Sequence, residues 1–354
     1  MRLTSWAVVV PPLALALVGM ALLLPVGVPF IVVAVPALFG AVLAAVHHAE
    51  VVAHHVGEPF GTLILAVAVT VIEVALIVSM MLAGGPDKSA LPRDTIFSAI
   101  MIICNGAVGL CLLAGGIKHH EQTFRLEGAT SALATLIALA TLSLVLPTFT
   151  TSATGPFYTG VQLAFAAAAS IVLWGVFVFV QTVRHRDYFL PAAAADEFAD
   201  APPATGAWAS FALMGVALVA VIGLAKVLSP AVESGVAAVG APPAVIGIVI
   251  ALLVLLPETW AAARAAATNR LQTSLNLALG SALASIGLTI PAVALVATLL
   301  GMPLQLGLTP KDLVLLALTF TVSAITLVTG RTNVMEGVVH LVIFAAFVFL
   351  AFVP

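Results

Sequence analysis

The sequence predicts an all-α integral membrane protein of about eleven transmembrane helices, arranged as two five-helix halves of inverted topology plus one additional N-terminal helix. Three observations lead there. First, 62% of the 354 residues are hydrophobic and only 8% are charged, a balance that a water-soluble domain could not present without aggregating, so the solvent is largely lipid. Second, apolar runs of about 20 residues recur along the chain, the length that crosses a bilayer core at about 1.5 Å per residue. Third, a polar stretch at 184–206 leaves five such runs on either side once the first is set apart. An odd number per half turns the second half upside down relative to the first.

The first run, 6–24, follows Met1 and Arg2 and is read as a retained span, making 1–27 the additional helix. It lacks a small-residue cleavage site at its end, and a second apolar run begins at once. Runs at 28–46, 60–83, 95–117, 126–147 and 158–182 make up the first half, 28–183. The stretch 184–206 carries Asp187, Asp196, Glu197 and Asp200 among alanines and prolines, the composition of a solvated linker. Runs at 208–228, 242–263, 273–300, 311–329 and 334–353 make up the second half, 207–354.

Twelve Lys plus Arg stand against fifteen Asp plus Glu, for a net charge of -3, and this offers no basic field for nucleic acid. On alternate sides of the membrane the basic residues divide eight to four. The richer side holds Arg2, Lys118, Arg125, Arg184, Arg186, Arg264, Arg270 and Arg331, which makes the N-terminus and the linker cytoplasmic and puts the C-terminus opposite, in a cell inner membrane. Cys104 and Cys111 lie seven apart in one apolar run, match no disulfide or metal pattern, and read as packing residues.

Few ionisable residues fall deep inside a run. Glu73, within TVIEVALI, and Glu258, within LLPETWAA, each occupy the second run of their half, and inversion would bring both near the midplane. A carboxylate at that depth costs about 2.5–3.5 kcal/mol and needs a partner, a proton or an ion. The basic residues all fall in loops or at run ends, so two protons or one divalent cation would balance the pair. Competition between proton and cation is the thermodynamic core of antiport. The competing reading is two protonated glutamates packed as neutral side chains.

Oxygen-bearing neighbours line up with them. Thr70 precedes Glu73 by one turn, Ser98 and Asn105 are seven apart on the next run, and Ser281, Ser285 and Thr289 repeat every four residues after Glu258. These faces suit secondary ion-binding or a proton path, and equally the close packing of helices in lipid. Pro257 denies its preceding turn a hydrogen bond and frees a carbonyl oxygen of the kind calcium accepts.

Seven of the eight histidines, His47, His48, His54, His55, His119, His120 and His185, fall on the richer side. They suit pH sensing or an ordinary wet headgroup region. His47, Glu50 and His54 could share a helix face and offer a metal site. Asn333 and Glu336 have capping-box spacing, with His340 one turn further on.

Five stretches together carry a resemblance: GEPFGTLILAVAVTVIEVALI around Glu73, RDTIFSAIMIICNG after it, LLPETW around Glu258, NLALGSALASIGLTIP following, and TGRTNVMEGVVHLVIFA near the end. From about residue 40 onward the chain resembles the calcium/cation antiporter (CaCA) superfamily, specifically its bacterial calcium/proton antiporters of the ChaA type. The resemblance implies ten core helices in two inverted halves plus one more, with ion-binding repeats at about 57–117 and 242–300. It implies that Glu73 and Glu258 coordinate the cation, Ca2+, and carry protons, with Asn105 and Ser281 as secondary ligands. The chain departs from the related GN-x-x-E signature, having Thr70-Val71-Ile72-Glu73 and Leu255-Leu256-Pro257-Glu258.

The expectation is therefore a secondary transporter, not an enzyme, that exports Ca2+ in exchange for H+ by alternating access and needs no cofactor. Its partners would be the lipid bilayer, inorganic cations and protons, with room for a homo-oligomer. Na+ or K+ exchange for protons on the same fold is the nearest alternative. A zinc-dependent intramembrane hydrolase using His47, Glu50 and His54, or a passive channel, are more distant ones.

Overall fold

In hydrocarbon no water satisfies backbone N–H and C=O groups, so each apolar run must close its own hydrogen bonds as a helix. The computed structural model describes residues 5–23, 26–56, 60–189 and 206–353. Among the described residues ten helices are long and apolar enough to span a bilayer, and a further helix contains the shorter apolar stretch Val67–Leu82. The chain opens with α1 (Ser5–Leu23), α2 (Val28–Val56) and α3 (Phe60–Gly84). The next span joins α4 (Leu91–Met101), a π turn (Ile102–Ala107) and α5 (Val108–His119). Another joins α6 (Leu126–Ala140), a second π turn (Thr141–Val145) and the short α7 (Leu146–Phe149), and α8 (Gly160–Phe179) follows.

After the linker come α9 (Ala207–Ala238), α10 (Ala244–Ala267), α11 (Leu271–Leu300), α12 (Pro310–Val328) and α13 (Val334–Phe352). Asp196, Glu197 and Asp200 of the linker lie outside the described residues. Asp187 sits exposed in a 3-10 turn, Arg186–Tyr188. Two helices outrun their apolar stretches: α2 continues to Val56 rather than 46, and α9 continues through Pro230 to Ala238 rather than 228. Polar residues such as His47 and Glu233 mark the edge of the hydrocarbon, not the end of the backbone ladder.

The chain forms two compact units, and each draws helices from both halves of the sequence. One holds α1, α2, α3 and α9. In it α2 packs on α9, and α1 on both. The contacts are close because Gly40 faces Val10 and Gly223 faces Val18. Lys88 pairs with Glu233 at 3.0 Å, and Ser229 donates to the same carboxylate at 3.2 Å.

The other unit holds α4–α8, α10 from Gly247, and α11–α13. Its packing repeats under exchange of the two halves. The third span of each half packs on the other's third span (α4 and α5 on α11) and on the other's fifth (α5 on α13, α11 on α8). The fourth spans, α6 and α12, pack together as well. The loops obey the same exchange. Strand β1 (Glu121–Thr123), after the third span of the first half, pairs antiparallel with β2 (Arg331–Asn333), before the fifth span of the second half. Phe157, before the fifth span of the first half, bridges Gln305, after the third span of the second. This reciprocity is the mark of an inverted repeat.

Even the caps correspond. At the start of α8, Thr159 Oγ1 accepts from Gln162 N while Gln162 Oε1 accepts from Thr159 N. At the start of α13, Asn333 Oδ1 accepts from Met335 N and Glu336 Oε2 accepts from Asn333 N, the capping box that the spacing predicts. Thr159→Ala leaves an orphan N–H at a helix end and is expected to cost about 1 kcal/mol of stability. A lowered thermal midpoint in detergent would register it.

Loops that alternation of the spans assigns to one side meet. Gln122 Nε2 donates to the Ala266 carbonyl at 2.9 Å and to Asn269 Oδ1 at 3.0 Å, which joins the loop after α5 to the loop after α10. Arg331 pairs with Glu121 across β1 and β2.

Candidate functional site

On α10, Leu252, Leu256 and Trp260 are exposed at four-residue intervals and form an outward stripe. The opposite stripe, Leu255, Glu258, Thr259 and Ala262, turns into the helix bundle. Glu258 therefore faces protein, half-buried, with its Oε2 fully enclosed. A small cavity opens at this point, lined by Leu255, Glu258 and Thr259 of α10, Ala278 and Ser281 of α11, and Ile103 and Ala107 of the first π turn. Three oxygen-bearing residues thus gather at one small space between apolar ones. Such a set can hold a proton or a cation inside a membrane protein. Helix α10 remains helical through Pro257.

Glu73 belongs to the other unit and stands on α3, 2% exposed. Val67 and Val71 lie on the outward side of that helix, whereas Thr70, Ile72, Leu76, Ile77 and Met80 are buried with the glutamate. Thr70 comes one turn before Glu73 on this inner side, as its spacing predicts.

Ser281 lines the same small cavity as Glu258, and the other companion residues are placed as follows. Ser98 Oγ donates to the Asp94 carbonyl at 2.6 Å, within its own helix. Ser285 and Thr289 are buried further along α11. Asn105, fully buried, sits in the π turn, and its carboxamide is engaged by α12 and α13. Its Nδ2 donates to Thr319 Oγ1 at 2.9 Å, and its Oδ1 lies 3.2 Å from His340 Nδ1. His340 Nε2 lies 3.1 Å from Thr326 Oγ1.

The histidines of the richer side serve several ends. His48 is buried, with Nε2 2.9 Å from the Ala7 carbonyl, and His47 stacks obliquely on Trp6 at 5.7 Å. His119 Nε2 meets the Ala267 carbonyl at 3.1 Å, and His120 ends α5 at a φ of 66°. His185 stacks on Tyr188, and His55 is exposed. His54 lies in α2, but its side chain is outside the described ones, so the grouping with His47 and Glu50 is as well. Among the described residues no cluster of three His, Cys, Asp or Glu side chains is placed to hold a metal.

Sequence reasoning passed over Thr259, the π turn and the role of His340. Thr259 is adjacent to Glu258 and was overlooked because neighbours in a helix usually face apart. His340 was readable as a lone imidazole inside an apolar run.

Comparison with known proteins bears on this arrangement. The family model described as sodium/calcium exchanger protein matches residues 26–183 and 209–353. A protein of Sinorhizobium fredii (strain NBRC 101917 / NGR234) called putative ionic transporter y4hA is 50% identical over 99% of this chain and 96% of its own. The sodium-potassium/proton antiporter ChaA of Escherichia coli (strain K12) is 36% identical over 98% of this chain and 96% of its own. Native YfkE, at 17% identity, superposes with a TM-score of 0.75 over 98% of this chain and 99% of its own. A selenium-substituted crystal form of YfkE is described as a Ca2+/H+ antiporter.

Proposed function

This chain belongs to the sodium/calcium exchanger protein family and is a multi-pass membrane transporter of cations rather than an enzyme, and we propose that it exports Ca2+ in exchange for protons by alternating access. The cavity shared by Glu258, Thr259 and Ser281 carries this reading. A carboxylate among membrane-spanning helices is costly, and it is retained where its charge is alternately neutralised by a proton and by a transported ion. Thr259 and Ser281 supply neutral oxygens, which suit a hard cation that takes about 6–8 oxygen ligands.

Glu73, buried on α3, is the second acid of the cycle. Loading of Ca2+ displaces one proton from Glu73 and one from Glu258, so charge balance sets two protons per calcium. The eight-to-four division of basic residues supports a cytoplasmic N-terminus and linker in a cell inner membrane. A second reading, Na+ or K+ exchange for protons, is favoured by the name of the relative at 36% identity.

Reconstitution in vesicles containing a pH-sensitive dye separates the two. Addition of Ca2+ is expected to drive proton movement at about two protons per calcium. A response to Na+ or K+ with none to Ca2+ would replace calcium by a monovalent ion. Cation flux that ignores a pH gradient would indicate a channel instead.

A further inference from the structure

Helix α13 is apolar almost throughout, yet His340 is buried within it at 0% exposure. An imidazole enclosed in a membrane span is retained only when its polar atoms are satisfied. Here they are, and three elements take part. Nδ1 lies 3.2 Å from Asn105 Oδ1, and Nε2 lies 3.1 Å from Thr326 Oγ1 on α12. A neutral ring that donates its Nδ1 proton to Asn105 Oδ1 and accepts the Thr326 hydroxyl at Nε2 meets both contacts.

Asn105 belongs to the π turn Ile102–Ala107. A π turn breaks the regular ladder of the helix and is frequently found at functional sites. Two residues of this turn, Ile103 and Ala107, form one wall of the cavity that holds Glu258, Thr259 and Ser281. Close approach of α13 makes the bond available: a Cβ on Gly109 would lie 3.0 Å from His340 Cβ, a tight contact that glycine avoids.

We infer that His340 is a positioning residue of the candidate ion site, holding the π turn in the register that places Ile103 and Ala107 against the cavity of Glu258. The inference rests on the ion-site reading above. Asn105 is the part of the turn that His340 holds, and Thr319 fixes the other end of the same carboxamide.

Three variants test it. His340→Asn keeps a donor near the position of Nδ1, whereas His340→Gln puts its amide nearer Nε2 and His340→Leu has neither. Transport is measured with whichever of Ca2+, Na+ and K+ moves most protons in the parent, and backbone hydrogen exchange is followed over residues 102–108. The Leu and Gln proteins are expected to show a KM for the cation raised about tenfold, with Vmax within about twofold, the loss of about one charge-supporting hydrogen bond. Exchange over 102–108 should quicken in both, and His340→Asn should restore both readings toward the parent. A parental KM in His340→Leu overturns the inference, and so does an Asn variant no better than Gln. Parental transport in Glu258→Gln overturns the ion-site reading beneath it, a separate failure seen in a separate variant.

Discussion

Glu258→Gln is expected to lower the rate of cation-coupled proton movement at least about a hundredfold while the protein remains inserted and folded. Glutamine keeps the size of the side chain, but it can neither release a proton nor carry charge. A cation about 4 Å from a carboxylate gains about 4 kcal/mol at the effective dielectric of a partly buried site, and a hundredfold loss corresponds to only about 2.7 kcal/mol. Removal of the charge alone therefore accounts for the effect. Glu73→Gln should match it, because a cycle that exchanges a divalent ion for two protons stops when either acid is neutral. Ser281→Ala and Thr259→Val remove neutral oxygens at the cavity and should weaken cation binding while leaving turnover measurable. Initial rates in proteoliposomes, with quantified insertion, are the measurement. Parental rates in both glutamine variants would take the two acids out of the mechanism.

Why the sequence singles out Glu258 and Ser281, but neither Thr259 nor the contacts of His340, follows from how a membrane protein writes itself. Apolar length fixes the spans, because the bilayer demands about 20 residues whatever their neighbours. Alternation of the runs groups the loops: β1 and β2 pair, and Gln122 reaches Ala266 and Asn269, all assigned to one side. An acid in a span announces itself by its cost, so Glu73 and Glu258 stood out.

Contacts between helices are not written in this way. The sequence divides at the linker, yet α2 packs on α9 and α5 on α13, because the fold joins each half to the other. Helical spacing, seven from Ser98 to Asn105 and four from Ser281 to Ser285, puts both serines on companion faces, but Ser98 bonds back to Asp94 whereas Ser281 lines the cavity. The π turn has no composition signature, and it rotates Asn105 toward Thr319 and His340 while Ile103 and Ala107 face the cavity.

The largest loss of stability is expected from Gly337→Val, on the α13 face that meets α5. A Cβ at Gly337 would lie 2.5 Å from the Leu113 backbone nitrogen and 2.9 Å from its Cα, so helix backbone rather than a flexible side chain must move. Overpacking of this kind costs about 1–3 kcal/mol even where side chains yield, and backbone contact puts this site at or above the upper end. Without a hydrophobic force between helices in lipid, close contact between small residues is a main source of their association, and there is little to offset its loss. Gly175→Ala on α8 supplies the contrast. No heavy atom lies within 4 Å of the added Cβ, and alanine is the better helix former by up to about 1 kcal/mol, so its midpoint should hold or rise.

Gly337 also precedes His340 by one turn, which links packing to the site. An α13 pushed away from α5 carries His340 away from Asn105, and the π turn loses its hold. The milder Gly337→Ala, grown at low temperature and purified folded, should therefore show both a lowered thermal midpoint and a raised KM for the cation. A lowered midpoint with a parental KM would mean that the α5 and α13 contact stabilises the fold without governing the cavity, and the link between the two would fail.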